Sequence, residues 1–378
     1  MQESLEEAQL TLEMPIAFPT FSRNKPYNSL PKLPPPYELE TKKTLKKAIG
    51  ANRALAELRS VGDQIPNQAI LLRSMLLQEA KLSSAIENIV TTNDRLYRAL
   101  SDETEQTDPQ TKEVLQYESA LWHGYEHIKE GKLLTSRLFI ELVQIIKRIE
   151  YGVRDLPGTQ IVNPKTEETI YTPPDGANNI RDFLDNLSHY IYMNDNIDPL
   201  IKLGVIHYQF EAIHPFADGN GRTGRVINIL YLVQEKMLNL PILYLSQYII
   251  QNKSDYYKGL RGITEENNWE DWILYILDAI ETTSNITKKR ILDIRNDMNE
   301  ATKFARENMG TGYSKDLIEL IYCQPYTRIS FLEQAGIAKR DTASNYLKRL
   351  EEIEILESVK SGRERIYLNK RLLKILVQ

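Results

Sequence analysis

The twelve residues His214-Pro215-Phe216-Ala217-Asp218-Gly219-Asn220-Gly221-Arg222-Thr223-Gly224-Arg225 place a base, an oxygen ligand, three glycines and two guanidinium groups in one short stretch. Gly219 and Gly221 permit a tight turn and close approach of the backbone to a ligand. With Asn220 between them, their amides can line an anion nest. A helix beginning near Arg222 would add unpaired N-terminal amides and the positive end of its dipole. Arg222 and Arg225, three apart on that helix, can reach one polyphosphate, each guanidinium fork taking two oxygens. Asp218 offers a hard oxygen for magnesium bridging such phosphates. His214 can accept a proton from an attacking hydroxyl near neutral pH. Phe216 reads as an anchor of the loop rather than a substrate contact. Taken singly, a His before a Pro, a lone Asp or a Gly-Asn-Gly turn would mean only ordinary loop structure. Gathered in twelve residues, they point to phosphate chemistry. A P-loop is excluded, because no Gly-Lys-Ser/Thr closes the stretch.

The pattern His-x-Phe-x-Asp-Gly-Asn-Gly-Arg-x-x-Arg resembles the signature of the Fic family of protein adenylyltransferases at every fixed position. The resemblance implies a mainly α fold: a helical Fic core with a small β-hairpin flap. It implies transfer of AMP from Mg·ATP to a Tyr, Thr or Ser hydroxyl of a target protein or of the chain itself, with ATP as substrate and Mg2+ as cofactor. On that basis His214 is the expected general base and Asp218 the metal ligand. Gly219, Asn220 and Gly221 would cradle the phosphates, Arg222 the β/γ region and Arg225 the γ-phosphate. Thr223 and Gly224 fall within the same nucleotide-binding stretch.

The elements that must position these groups have their own patterns. Leu200, Leu203, Ile206 and Phe210 before the loop, and Val226, Ile229, Leu230, Val233 and Met237 after it, predict two helices with buried faces. A further helix over 68–90 carries Leu72, Met75, Leu76, Ala80 and Ile86 as a core stripe, with Glu87 beside it. By itself Glu87 is a half-exposed helix carboxylate. Next to the loop, Ser83, Glu87 and Asn88 resemble the family's inhibitory motif, Ser-x-x-x-Glu-Asn. The resemblance implies that Glu87 pairs with Arg225 and leaves bound ATP with its α-phosphorus turned away from the acceptor. Misplacing a reacting centre by about 1 Å costs on the order of 100-fold. Some members use the same glutamate to position water and remove AMP, so de-AMPylation stands as an alternative.

Between Tyr151 and Gly176, two β-prone runs flank a polar turn and predict a hairpin within 157–174. Alone, it is a surface excursion. The resemblance makes it the flap, with Ile161, Val162 and Asn163 pairing to a docked target segment by strand addition. Downstream lies Tyr256-Tyr257, of which one can be core while the other stacks on adenine. Asn252 is a weaker candidate for that pocket, and Trp269 and Trp272 read as packing residues.

A net charge of −5 over 378 residues argues against a general nucleic-acid coat or a basic membrane binder. Cys323 is the single cysteine, no apolar run reaches membrane-spanning length and no signal pattern opens the chain, so a cytoplasmic protein is expected. The expected domains are 1–110 with the inhibitory helix, 111–285 the catalytic core, 286–310 a helical linker, and 311–378; a long polar helix from about Thr282 to Glu307 has the look of a spacer. Residues before Tyr37, with Pro31, Pro34, Pro35 and Pro36, read as an extended lead packed on a domain surface. The segment 313–378 carries 12 Lys+Arg against 9 Asp+Glu. Its helices near 315–323, 330–335 and 340–353, followed by strands near 355–360 and 365–368, outline a winged helix (α+β). Arg340, Lys348, Arg349 and Arg363 could reach DNA, yet Glu351, Glu352 and Glu354 crowd the same helix end. Contact with a protein partner, including a homodimer mate, is the other reading. Two rival functions remain: kinase-type use of the γ-phosphate, against which Gly-Asn-Gly-Arg argues, and a DNA-binding regulator with a nucleotide-sensing core.

Overall fold

The computed structural model describes residues 21–64, 68–101, 107–163, 166–323, 325–361 and 364–377. The first part of the lead, the Ile65-Pro66-Asn67 break, Pro164 and Arg363 lie outside the described residues. In chain order the elements are α1 (Lys42–Asp63), α2 (Gln68–Ile86), α3 (Asn93–Ser101), α4 (Pro109–Lys129) and α5 (Ser136–Lys147). A hairpin, β1 (Ile161–Val162) and β2 (Thr169–Tyr171), precedes α6 (Ala177–Ile191), α7 (Pro199–Ile213) and α8 (Asn220–Gln234). Then come α9 (Leu245–Gln251), α10 (Lys253–Glu266) and α11 (Trp269–Asn308). The C-terminal unit holds α12 (Lys315–Cys323), β3 (Tyr326–Thr327), α13 (Ile329–Gln334), α14 (Arg340–Glu352), β4 (Glu357–Ser361), β5 (Glu364–Leu368) and α15 (Lys370–Val377).

Helix α7 is the centre of the core. The Asp198 side chain caps it by accepting from Leu200 N at 2.8 Å, and Pro199 occupies its first turn. It is buried on nearly every side, as a helix apolar all round must be. Lys202, the cation in that helix, satisfies its ammonium on Met193 O at 2.6 Å and Asp195 at 3.2 Å. The buried lining of α8 (Val226, Ile227, Ile229, Leu230) continues the same core.

The lead lies across this core as an extended segment. Tyr27 N donates to Thr172 O at 3.1 Å, beside the hairpin, and Asn186 bonds both backbone groups of Leu33 (2.8 and 3.0 Å). Tyr27, Leu30, Leu33 and Leu39 are buried beneath it.

Two expectations change. Helix α11 runs unbroken through the predicted boundary near 285, because no Gly or Pro interrupts it. The stretch read as a polar spacer is also packed: Thr283, Ser284, Thr287 and Ile291 are buried, their small side chains allowing close approach. In the C-terminal unit, four helices and a three-stranded antiparallel sheet of order β3-β5-β4 appear, with Tyr326↔Leu368 and Glu357↔Leu368 in register. Arg349, read as a DNA contact, donates to Met309 O at 3.0 Å and caps the end of α11, while Arg340 and Lys348 are exposed. This unit docks on α2 and α3: the Tyr97 and Tyr326 rings stack at 5.8 Å, and Ser74 Oγ donates to Cys323 O at 2.9 Å. Helix α2 therefore touches the C-terminal unit at Ser74 and ends beside the 214–225 loop, where Glu87 meets Arg225. No described helix is long and apolar enough to cross a membrane.

Candidate active site

The loop between α7 and α8 is closed by its own side chains. His214 ends α7 in the left-handed region (φ 48°), where its N–H donates to Phe210 O at 3.1 Å. Asn220 folds its amide back on Phe216, accepting from its N–H and donating to its carbonyl, both at 2.8 Å. Phe216 is 1% exposed beside Phe210, the anchor its type predicted. The Asn220 side chain thus builds the loop instead of cradling phosphate; its backbone amide opens α8. That helix starts two residues earlier than expected, so the N–H groups of Asn220, Gly221 and Arg222 are first-turn donors without an i−4 acceptor.

Three glycines serve different needs. Gly219 is the N-cap at φ 84°, a conformation that favours glycine. A Cβ on Gly221 would lie 2.7 Å from Glu87 Oε1 and 3.0 Å from Arg225 Nη1. A Cβ on Gly224 would lie 2.7 Å from Glu211 Oε1 and 3.0 Å from Phe210. Gly224 is therefore a helix-packing residue, and Thr223 is too: its hydroxyl donates to Gly219 O at 2.9 Å inside a buried turn. Neither faces the ligand side, contrary to their place in the predicted stretch.

Both arginines are almost wholly buried, and both are paired. Glu87 spans them, Oε2 accepting from Arg222 Nε and Oε1 from Arg225 Nη2, each at 2.8 Å. The expected partner was Arg225 alone. Glu113 on α4 takes the remaining fork of Arg222 at 2.7 Å. Ser83 holds Arg225 twice, hydroxyl accepting from Nε at 2.7 Å and carbonyl from Nη2 at 3.0 Å. Asn88 acts through its backbone. With φ at 63° it ends α2 four residues before the predicted limit, Asn88 N and Ile89 N donating to Ala85 O and Ser84 O at 3.1 Å each. This αL stop, tolerated by Asn, directs Glu87 at the arginines.

Asp218 Oδ2 is 2.6 Å from Lys147 Nζ, and Lys147 is 3.4 Å from Glu113. Burial pushes the Asp218 carboxyl up, but Lys147 outweighs it and holds the group below the usual carboxylate range. Among the described residues no cluster of three or more acidic, His or Cys side chains could cage a metal. One half-exposed carboxylate instead fits magnesium that arrives already bound to phosphates, the ion's usual habit.

Burial pushes the His214 imidazole down to about 4, and the Arg154 guanidinium adds to the depression. The ring is consequently neutral at pH 7, with Nδ1 buried and lacking a hydrogen-bond partner. Two further carboxyls surround Arg225. Burial raises Glu79 and Glu211 each to about 7, with Arg225 opposing both shifts. Glu79 is bonded to Ser246, whereas Glu211 Oε1 has no partner.

Tyr256 and Tyr257 separate cleanly. Tyr256 is 2% exposed, bonded to His207 Nε2 at 2.9 Å, and belongs to the core with Trp272, which corrects its place among the ligand contacts. Tyr257 is 45% exposed beside Lys253, with Arg225 and Glu87 near enough to act on its phenol. Asn252 bonds its own helix at Tyr248 O (3.0 Å). In the hairpin, Ile161 is half-buried, Val162 is 47% exposed, and Asn163 N pairs with Glu168 O at 2.9 Å. Sequence reasoning missed Glu113, Lys147, Arg154, Glu79 and Glu211. Only Glu211, one helical turn before His214, offered a local signal.

Comparison with known proteins agrees with this geometry. Residues 133–232 match the Fic/DOC family model and 45–126 the Fic/DOC family N-terminal model. Residues 298–372 match the C-terminal domain model of SoFic-like protein adenylyltransferases. Among curated proteins, the chain is 25% identical over 160 residues to the protein adenylyltransferase and cysteine protease IbpA of Histophilus somni, covering 40% of this chain and 4% of that one. It is 24% identical over 158 residues to the protein adenylyltransferase Fic of Drosophila mojavensis, covering 40% and 30% respectively. The chain thus spans less than a third of either relative. In fold it is similar to a Fic family protein from Desulfovibrio desulfuricans, with a TM-score of 0.56, 20% identity, and 89% of this chain and 98% of that one covered. Fic-1 from C. elegans gives 0.50 at 18% identity over 68% and 75%. With three family models matching in succession along it and the His214–Arg225 loop complete, this chain belongs to the Fic family.

Proposed function

We propose that this chain transfers AMP from Mg·ATP to a Tyr, Thr or Ser hydroxyl of a protein, and that Glu87 holds it in check. The observation carrying this reading is the Glu87 carboxylate lying across both arginines at the N-terminus of α8, where a polyphosphate would otherwise sit. In the reaction the acceptor oxygen forms a bond to the α-phosphorus. The α–β bridging P–O bond breaks, and pyrophosphate leaves with its electron pair. His214, neutral at pH 7, takes the hydroxyl proton. The first-turn amides of α8 and Arg222 steady charge on the phosphates, and Arg225 holds the γ end. Asp218 would hold magnesium, which supplies charge neutralisation between the phosphates. With Glu87 in place, Arg225 is engaged and the γ-phosphate lacks its anchor, so the α-phosphorus is not presented to the acceptor.

Tyr257 is the tyrosine for the adenine side, since Tyr256 is enclosed. The C-terminal unit we read as a winged helix that contacts protein, a partner or a second copy, in preference to duplex DNA. The use of Arg349 to cap α11 supports that reading. DNA binding that weakens steeply with salt would speak for the regulator instead.

The deciding experiment incubates the chain and Glu87→Gly with α-labelled and γ-labelled ATP, with and without a magnesium chelator. Label from the α position only, stronger in Glu87→Gly and absent with chelator, is the expected result. Label from the γ position would make the protein a kinase.

A further inference from the structure

Arg154 precedes the hairpin by seven residues and is 6% exposed. Its Nε and Nη2 donors reach backbone carbonyls of two other segments. Nε donates to His214 O at 2.8 Å, Nη2 to Ile213 O at 3.4 Å and, by a short bond, to Pro174 O. Its own N–H donates to Pro215 O at 2.9 Å. Pro174 leaves the hairpin, Arg154 enters it, and Ile213 to Pro215 are the end of α7 and the start of the catalytic loop. One residue, through its side chain and its own N–H, therefore joins both ends of the hairpin to the backbone on either side of His214. A second tie lies alongside: Tyr171 in β2 donates its hydroxyl to Ala212 O at 2.8 Å. A guanidinium is suited to this task, because its fixed donors diverge and its charge complements the carbonyl end of α7.

We propose that Arg154 is a positioning residue, fixing the His214 imidazole against the hairpin on which the acceptor segment lies. The inference rests on the adenylyl-transfer reading of the same site and extends it to a residue outside the loop. Its physical content is distance. His214 sits in a left-handed backbone conformation uncommon for a side-chain-bearing residue, and its carbonyl is held by Arg154. Without that bond the imidazole and the hairpin can drift apart, and proton transfer needs hydrogen-bond reach. ATP contacts on α8 are untouched by this drift.

Electrostatics provides an independent readout. The groups that act on His214 are Arg154 from the segment before the hairpin, Asp218 in its own loop and the Glu211 backbone on α7, while Lys147 on α5 neutralises Asp218. Removing the Arg154 charge makes the imidazolium less unfavourable, so the acid limb of the rate moves to higher pH. Lysine keeps the charge but cannot span the carbonyls.

The test uses the full chain carrying Glu87→Gly as parent, self-labelling from α-labelled ATP as probe, and Arg154→Gln, Arg154→Lys and Tyr171→Phe. The expected result for Arg154→Gln is a fall in kcat of roughly 10- to 100-fold, an unchanged KM for ATP, and an acid limb displaced upward. Arg154→Lys is expected to lower kcat with the limb in place, and Tyr171→Phe, the mildest change, to lower kcat by a few-fold with the same unchanged KM. Rates within two-fold of the parent in all three variants overturn the proposal. So does a fall in which the affinity for ATP is lost in step with kcat, the mark of general destabilisation. An unlabelled Glu87→Gly parent removes the adenylyl-transfer reading and this inference with it, whereas a labelled parent with indifferent variants removes the inference alone.

Discussion

The two sides of the loop are prepared in opposite ways. At the start of α8, Arg222 and Arg225 are buried and paired: Glu87 bridges them, Glu113 takes a fork of one and Ser83 two donors of the other. At the end of α7, His214 is left with a buried, unpartnered Nδ1 and is kept neutral by its surroundings. On the proposed reading, the base is ready while the phosphate anchor is taken. Inhibition of this kind acts by occupancy, so it can be relieved without refolding the site. An arginine pair can be occupied by a carboxylate at modest cost because carboxylate and phosphate satisfy the same forked donors. A base has no equivalent plug that would leave its proton affinity intact.

The largest effect should come from the ready side. His214→Ala in a Glu87→Gly chain is expected to lose about 10²- to 10⁴-fold of self-labelling, the range for a general base, while binding ATP normally by calorimetry. Full labelling would take His214 out of its role and dissolve the contrast. Next comes the occupied side. Glu87→Gly should raise labelling on the order of 100-fold and should itself be less stable, since it leaves buried guanidinium groups short of a partner. Saturating ATP then stabilises Glu87→Gly by about 2.7 kcal/mol at a hundred times its Kd, and the parent by less. Equal thermal shifts in the two proteins would mean that phosphate and Glu87 do not compete.

The pH profile sharpens the comparison further. An imidazole depressed to about 4 is already deprotonated across pH 6–8, so kcat/KM of Glu87→Gly should be flat there and fall only as pH drops toward about 4. The same depression makes folding favour the neutral ring. Stability from His214 is therefore complete above the ordinary histidine value near 6.5 and lost as pH falls through the window to about 4. An acid limb near 6.5 would show His214 to be an ordinary solvated imidazole. The smallest effect separates the tyrosines: Tyr257→Ala should raise KM for ATP several-fold, a stacking contact of about 1 kcal/mol. Tyr256→Phe should cost about 1 kcal/mol of stability through the lost His207 bond with KM unchanged.

The catalytic loop was readable because its chemistry is local in sequence. His214, Asp218, the first-turn amides and both arginines come from one loop and the turn after it, so spacing alone brings them together. The anchor at Phe216 was readable for the same reason, whereas the stop of α2 at Asn88 was not, since the apolar pattern runs on to Val90. Less was visible in the long helix. The drop in apolar density beyond Ile280 suggested a spacer, yet Thr283, Ser284 and Thr287 are small enough to pack against neighbours that no local pattern announces. Thr223 and Gly224 were placed with the ligand by adjacency, but 100° of helical rotation per residue turns them to the core.

What the sequence by itself determined is the reaction-bearing loop, the helix carrying Glu87 and the hairpin, since each depends on residues a few positions apart. Only the tertiary structure decided who is paired with whom. It made Glu87 bridge two arginines, sent Glu113 and Lys147 from separate helices into the same row of alternating charges, and aimed Arg154 at the backbone of His214. It also enclosed Tyr256 while exposing Tyr257. Such pairings are set by where whole helices dock, and docking follows from burial of their apolar faces across the chain, which no short pattern records.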